Sequence, residues 1–246
     1  MSFRYAYLLP IIQGLWYIIT FATTYTLSVL KEDVPAVFPY ISDTGVWSIE
    51  RCIFSFMLCI GSFLMFSILY IRYRQVKHLL ISKKDAGFSN RLATLNTLSI
   101  YMAAISVVGL ITLGTFQVEP FIYVHLTGAS IAFTVGWFLI TIQTYISYKI
   151  FPTIGSKFIN TLRAWLVGIT GLSLAMVGIF GAISLFYFKG GDVTQWNSES
   201  GGYEFHLVSS ISEWFLAFGT VFYLTTYYRE FKDVVLYKPK MELTNI

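Results

Sequence analysis

Ionisable residues are scarce in this sequence. Only 12% of its 246 residues are Asp, Glu, Lys or Arg, about half the roughly 25% of a soluble domain. So few charges cannot cover a water-facing surface, which argues against a soluble enzyme, a nucleic-acid binder or a disordered regulator. Cysteine is scarcer still. Cys52 and Cys59 are the only two. On one helix they share a face but do not reach each other, which leaves no disulfide framework and no Cys-based metal site. No Asn-x-Ser/Thr sequon occurs, and neither HExxH nor GxSxG is present. What the chain has in plenty is apolar surface: 56% of residues are hydrophobic and 18% aromatic. That composition suits a bilayer, whose interfaces collect Trp and Tyr.

Residues 5–30, 52–71, 92–118, 120–148 and 164–188 carry no Asp, Glu, Lys or Arg, and 205–228 is interrupted only by Glu213. A spanning helix needs about 20 apolar residues. We therefore expect an all-α, polytopic membrane protein. It should form a single six-helix transmembrane domain over 1–246, with spans near 7–30, 51–71, 94–114, 121–148, 161–187 and 205–228 and a short tail at 229–246. Stretches such as SIYMAAISVVGLITLG are apolar all round instead of alternating, which disfavours a transmembrane barrel. The first run exceeds the length of a cleavable signal sequence and reads as an uncleaved anchor.

Six spans place both termini on one side. Arg4, the 72–93 and 149–163 loops and the tail hold 14 of the 17 basic residues, leaving only Lys31, Arg51 and Lys189 elsewhere. Excess Lys and Arg marks the cytoplasmic side, so both termini are expected there. Asp43 and Glu50 fall on the lumenal or extracellular side, and Glu213 belongs to neither.

The loop before helix 2 reads PYISDTGVWSIERC. Asp43-Thr44-Gly45 is turn chemistry: Asp accepts local backbone bonds and Gly allows positive φ. Ser48, Glu50 and Arg51 then open a helix whose positive end favours a carboxylate. In helix 5, Gly171/Ala175 and Gly178/Ala182 have the small-xxx-small spacing that lets helices approach closely, expected here within the bundle. The tryptophans are expected at the interfaces and in packing.

PYISDTG, followed by an acid and Cys-x-Phe at the start of a long helix, resembles the FRAG–DRAM–Sfk family of six-span proteins. YIRYRQVKHL, HLTGASIAFTVG, WNSESGGYEFHLVSSISEW and TYYREF follow in order, and together they look most like its damage-regulated autophagy modulator branch. One departure is that Ile49, where relatives often have Pro, precedes Glu50. The resemblance implies a lysosomal or endolysosomal membrane protein that promotes autophagy. Its Sfk-like branch implies an organiser of phosphoinositide kinase at the plasma membrane, and its FRAG-like branch lipid remodelling in the Golgi. No catalytic residues are carried over from it. The tyrosine motifs at Tyr73 and Tyr228 lie against the bilayer, so the lysosomal assignment rests on the resemblance.

From the residues alone, Asp43, Glu50, His125, His206 and Glu213 lie near the lumenal leaflet, His206 and Glu213 two turns apart on one helical face. Ionisable groups inside spans are costly and usually face the bundle interior, so these five are a candidate lumenal ligand pocket. Two His with carboxylates would suit Zn²⁺, a proton relay or general acid–base work; equally, they would serve as hydrogen-bonding structure between helices. No metal or cofactor is assigned. Arg72, Arg74, Lys77, Lys83 and Lys84 form the densest basic segment, which either sets topology or meets anionic lipid headgroups and phosphoinositides.

Three functions compete. The first is a non-enzymatic membrane regulator acting through lipid or as yet unidentified protein partners. The second is a lipid-binding or lipid-modifying protein using the His/Glu pocket. The third is a transporter, for which no inverted repeat or deep basic residue speaks. No nucleic-acid partner is expected.

Overall fold

The computed structural model describes residues 2–82 and 90–237. Six helices among them are long and apolar enough to cross a membrane. They are α1 (Leu8–Leu30), α2 (Ser48–Ser82), α3 (Asn90–Thr115), α4 (Val118–Ile150), α5 (Lys157–Tyr187) and α6 (Tyr203–Thr225). A 3-10 turn, Thr226–Tyr228, continues α6. Neighbours in sequence pack on one another, and α6 returns to α1, closing a ring. Two short strands, β1 (Ser2–Phe3) and β2 (Leu236–Tyr237), pair antiparallel. Both ends of the described chain therefore meet at one end of the bundle, the termini end.

Bundle faces are sorted differently from a soluble protein's: the outside is apolar, and the inside mixes apolar clusters with polar side chains. Phe63, Leu172 and Phe186 are exposed on the outside, where acyl chains would cover them. Thr20, Thr24, Ser62, Ser99, Ser106, Thr144 and Ser147 are buried inside. Where lipid is as apolar as Leu, close packing and interhelical hydrogen bonds hold helices together. Ser106 Oγ donates to Ala132 O at 2.9 Å, and Trp16 Nε1 and Trp137 Nε1 reach Met57 O and Val167 O on neighbouring helices.

The helix near 51–71 is longer than its charge pattern indicates. α2 runs 35 residues, about 52 Å, against a hydrocarbon thickness of roughly 30 Å. Most of the expected 72–93 loop is thus helical. Val76 and Leu79 pack with Leu92, Ile146 and Ile150 in a small core of their own at the termini end.

Arg72 does not stop the helix because its charge is neutralised internally. Its Nη1 lies 2.7 Å from Glu230 Oε2, and its Nη2 donates to Ser147 Oγ at 3.0 Å. Arg163 Nη1, from α5, lies 2.7 Å from Glu230 Oε1 and donates to the same serine. The Tyr227 ring stacks beneath both guanidinium groups, 4.3 Å from Arg163 and 5.2 Å from Arg72. Both arginines have no exposed surface. Arg72 is therefore withdrawn from the expected lipid-facing basic set: its donors are committed to Glu230, Gln75 and Ser147.

The small-residue contacts fall only partly where expected. In α5, Gly171 receives the Trp137 ring, but Gly168 and Gly178 face open space. Backbone meets backbone at α3 on α4, where a Cβ at Gly109 would lie 2.6 Å from Ala132 N and one at Gly128 2.8 Å from Leu113 N. Beside that contact α4 widens into a π turn, Ile131–Val135, and Ser106 bonds a carbonyl inside it. Such insertions are a recognised cause of local helix distortion.

Glu230 sets the acid limit of this end. Burial alone would raise its carboxyl, but Arg72 and Arg163 outweigh burial and hold it below the usual carboxylate range. A depressed carboxylate stabilises the fold above its unfolded pKa of about 4.3 and ceases to do so as pH falls through the folded value. Glu230→Ala strands two buried cations and should cost about 3–5 kcal/mol. Replacing Arg72, Arg163 and Glu230 together by Met should cost far less. Unfolding of the full chain in detergent, wild type against both variants, measures the difference.

Candidate functional site

At the end opposite the termini, the segment joining α1 to α2 turns into the mouth of the bundle instead of lying over it. Pro39, Ile41 and Asp43–Val46 are buried. α6 holds this segment with one face. Tyr40 Oη donates to Ser209 Oγ at 2.7 Å, which in turn donates to Val177 O on α5. Ile41 N donates to Glu213 Oε2 at 2.6 Å, and Trp214 Nε1 to Pro39 O at 2.9 Å. From α1, Thr24 Oγ1 meets Thr44 Oγ1 at 2.9 Å.

Asp43-Thr44-Gly45 is a buried 3-10 turn, and its glycine is needed for a different reason than the one expected. Gly45 is not among the residues with positive φ. A Cβ there would lie 2.4 Å from the Phe54 ring, so the constraint is steric approach to α2.

Of the five expected pocket residues, three converge. His206 stacks on Trp196 with ring centroids 4.4 Å apart and meets the Tyr40 ring edge-on at 4.9 Å. Glu213 accepts from the segment below Tyr40. Asp43 lies within electrostatic reach of Glu213 and Asp192. Buried Asp43 Oδ2 and His206 Nδ1 have no hydrogen-bond partner. The other two residues have separate duties. Glu50 is paired with Lys31 at 2.8 Å, joining the end of α1 to the start of α2. His125 Nδ1 is 2.7 Å from Phe116 O and closes the α3–α4 turn. Among the described residues, no group of three or more His, Cys, Asp or Glu is placed to hold a metal ion.

Tyr40, Trp196, Ser209 and the Ile41 N–H complete the site and escaped the sequence reading. Only the polar positions 206, 209 and 213, one face of α6 by spacing, could have indicated them. In the basic segment, Arg74 and Lys77 are exposed and stack over Tyr70 and Tyr73. Lys83 and Lys84 lie outside the described residues.

The sequence has relatives. The model of the Frag1/DRAM/Sfk1/Cwh43P N-terminal domain matches residues 5–234. The chain belongs to this family. It is 34% identical to DNA damage-regulated autophagy modulator protein 2 of Mus musculus over 93% of its own length and 84% of the relative's. It is 31% identical to DNA damage-regulated autophagy modulator protein 1 of Xenopus laevis, over 92% and 90%, and 30% identical to that protein of Homo sapiens, over 92% and 91%. No solved structure matches significantly. The resemblance read from PYISDTG and the later stretches is thereby shown for nearly the whole chain.

Two outcomes test the site. Gly45→Ala forces the Phe54 ring or the turn to move and should destabilise by about 1–3 kcal/mol, readable as a lower unfolding temperature. The Asp43 carboxyl is pushed up by its burial and by Glu213, against an opposing contribution from the Tyr40 backbone. A raised carboxyl stabilises the fold at acid pH and ceases to do so as pH rises through the folded value. Unfolding temperature followed against pH should therefore show an Asp43-dependent decline toward neutrality that Asp43→Asn flattens.

Proposed function

We propose that this protein is a non-enzymatic, multi-pass regulator of autophagy in lysosomal or endolysosomal membranes, with both termini in the cytoplasm. The observation carrying the reading is similarity over almost the full length to proteins named autophagy modulators. Support also comes from the use made of the candidate acid–base groups. Glu213 accepts a main-chain N–H, Glu50 an ammonium group, and His125 meets a carbonyl. Each is a structural bond already made within the chain. The orientation rests on the excess of Lys and Arg at the termini end.

Deletion of the gene should lower autophagic flux, and the tagged full-length protein should coincide with lysosomal rather than Golgi or plasma-membrane markers. Glu213→Gln keeps an oxygen for Ile41 N–H and should restore flux; Glu213→Leu leaves that N–H unpaired and should lose about 1–3 kcal/mol together with abundance. Lipid turnover by the purified protein that disappears in His206→Ala would replace this reading with the enzymatic one. Normal abundance of Glu213→Gln with no restored flux would instead mark a proton or metal site at Glu213 and overturn its purely structural role.

A second reading is favoured by the exposed pairs Arg74–Tyr70 and Lys77–Tyr73 at the termini end of α2. Here the protein meets anionic headgroups or phosphoinositides, as an Sfk-like organiser would. Each base near an anionic leaflet contributes about 1 kcal/mol. Arg74→Ala/Lys77→Ala in the full chain should weaken binding to phosphoinositide vesicles more than to vesicles of equal charge without that lipid.

A further inference from the structure

The segment that enters the bundle mouth has sharp ends. Residues 36–38 are exposed, Pro39, Ile41 and Asp43–Val46 are buried with Tyr40 and Ser42 half-buried between them, and residues 47–49 are exposed again. Each boundary carries a backbone conformation that L residues rarely adopt: φ is 41° at Phe38 and 22° at Ser48. Such conformations cost free energy and persist only where the surrounding structure imposes them. Here the insertion imposes them, and the bonds to Glu213, Ser209, Trp214 and Thr24 hold the segment in. Its inner face is only partly backed, because Ile41 and Ser42 stand over a cavity of ≈ 70 Å³ in the bundle interior. The seated segment is thus bonded on its sides, strained at both ends and incompletely supported beneath.

Asp43 is the only acid between residues 36 and 49. It is 2% exposed, and its Oδ2 has no hydrogen-bond partner. The charged groups acting on it are Glu213 of α6 and Asp192 of the 188–202 loop, both acids. Among the described residues, no base pairs with it. Lys31 at the end of α1 is held by Glu50 at the start of α2. Arg51 of α2 and Lys189 of the 188–202 loop are exposed, and His206 of α6 packs its ring on Tyr40 and Trp196. A carboxylate buried among acids without a cation is costly, and a neutral carboxyl far less so.

We propose that residues 39–46 form a proton-held plug: with Asp43 protonated the segment stays seated in the bundle mouth, and with Asp43 ionised it swings out about Phe38 and Ser48. Burial and Glu213 push the Asp43 carboxyl up. The seated state is therefore favoured in full below the free carboxyl's value of about 3.9 and loses that preference as pH rises through the buried value. The mouth is closed when the compartment facing it is acidic and opens toward neutrality. The device does not depend on the autophagy reading.

Amide hydrogen exchange reports local opening of such a unit. It is measured on the full-length protein in lipid nanodiscs between about pH 5 and about pH 8, each rate divided by the intrinsic exchange rate at that pH. Protection of the amides of residues 40–46 should fall about tenfold for each unit by which the buried Asp43 value exceeds the free one, while the central turns of α2, α4 and α6 keep theirs. Asp43→Asn, neutral at every pH, should hold the protection of 40–46 constant. Should that variant fail to fold, Glu213→Gln, which removes the neighbouring charge and keeps an oxygen for Ile41 N–H, should shrink the fall. Protection of 40–46 that ignores pH in the wild type, a fall that persists in Asp43→Asn or is undiminished in Glu213→Gln, or a fall shared equally by the helices would overturn the proposal.

Discussion

Glu230 stands two residues beyond the last span, yet it bonds Arg72 on α2 and Arg163 on α5, and both arginines are wholly buried. Removing one carboxylate and two guanidinium groups from water is expensive, and it is tolerated only where geometry and additional hydrogen bonds compensate. Here Ser147, Gln75, Thr226 and the Tyr227 ring supply them. The interaction fixes three helices and the start of the C-terminal segment at one point. That segment then reaches back to pair β2 with β1. The length of α2 and the meeting of the termini both depend on this one carboxylate.

The opposite end is held by hydrogen bonds to the main chain and between side chains, with one ion pair, Lys31–Glu50, at its edge. α6 offers Ser209, Glu213 and Trp214 to a segment that enters the bundle mouth, and Phe54 fits against it only because residue 45 has no Cβ. A carboxylate inside a span would ordinarily signal transport or catalysis. Here it satisfies a backbone N–H that burial would otherwise leave without an acceptor. The same residue thus has a structural duty that any functional role must be added to.

The six spans were legible because lipid demands long apolar runs, and those runs end where charge begins. What was illegible follows from the same rule used too literally. Arg72 and Arg163 looked like loop bases because sequence cannot show a partner 158 or 67 residues away. Gly45 looked like a turn glycine because a local pattern cannot reveal Phe54 above it. Gly109 and Gly128 lie on different helices, so their mutual approach has no spacing signature in either one. His125, Glu50, His206 and Glu213 share a depth by sequence, but proximity in depth says nothing about position around the ring. Only the latter pair, with Asp43, shares a site.

Charge, then, is distributed along the bundle by what each level can neutralise. At the termini end, two cations hold Glu230 ionised, and acidity works against that lock. At the other end, Asp43 sits among Glu213, Asp192 and Tyr40, where acidity removes repulsion. Tyr40 is itself raised, chiefly by burial, and remains a neutral donor to Ser209. Protonation therefore strengthens one end while it weakens the other. Between them lies a mostly apolar stretch, with Phe21, Phe54, Leu58, Leu113 and Ala217 in its walls. The hydroxyls at that depth, Ser62 and Thr220, donate to Leu58 O and Leu216 O of their own helices, so these polar groups serve the backbone they stand on.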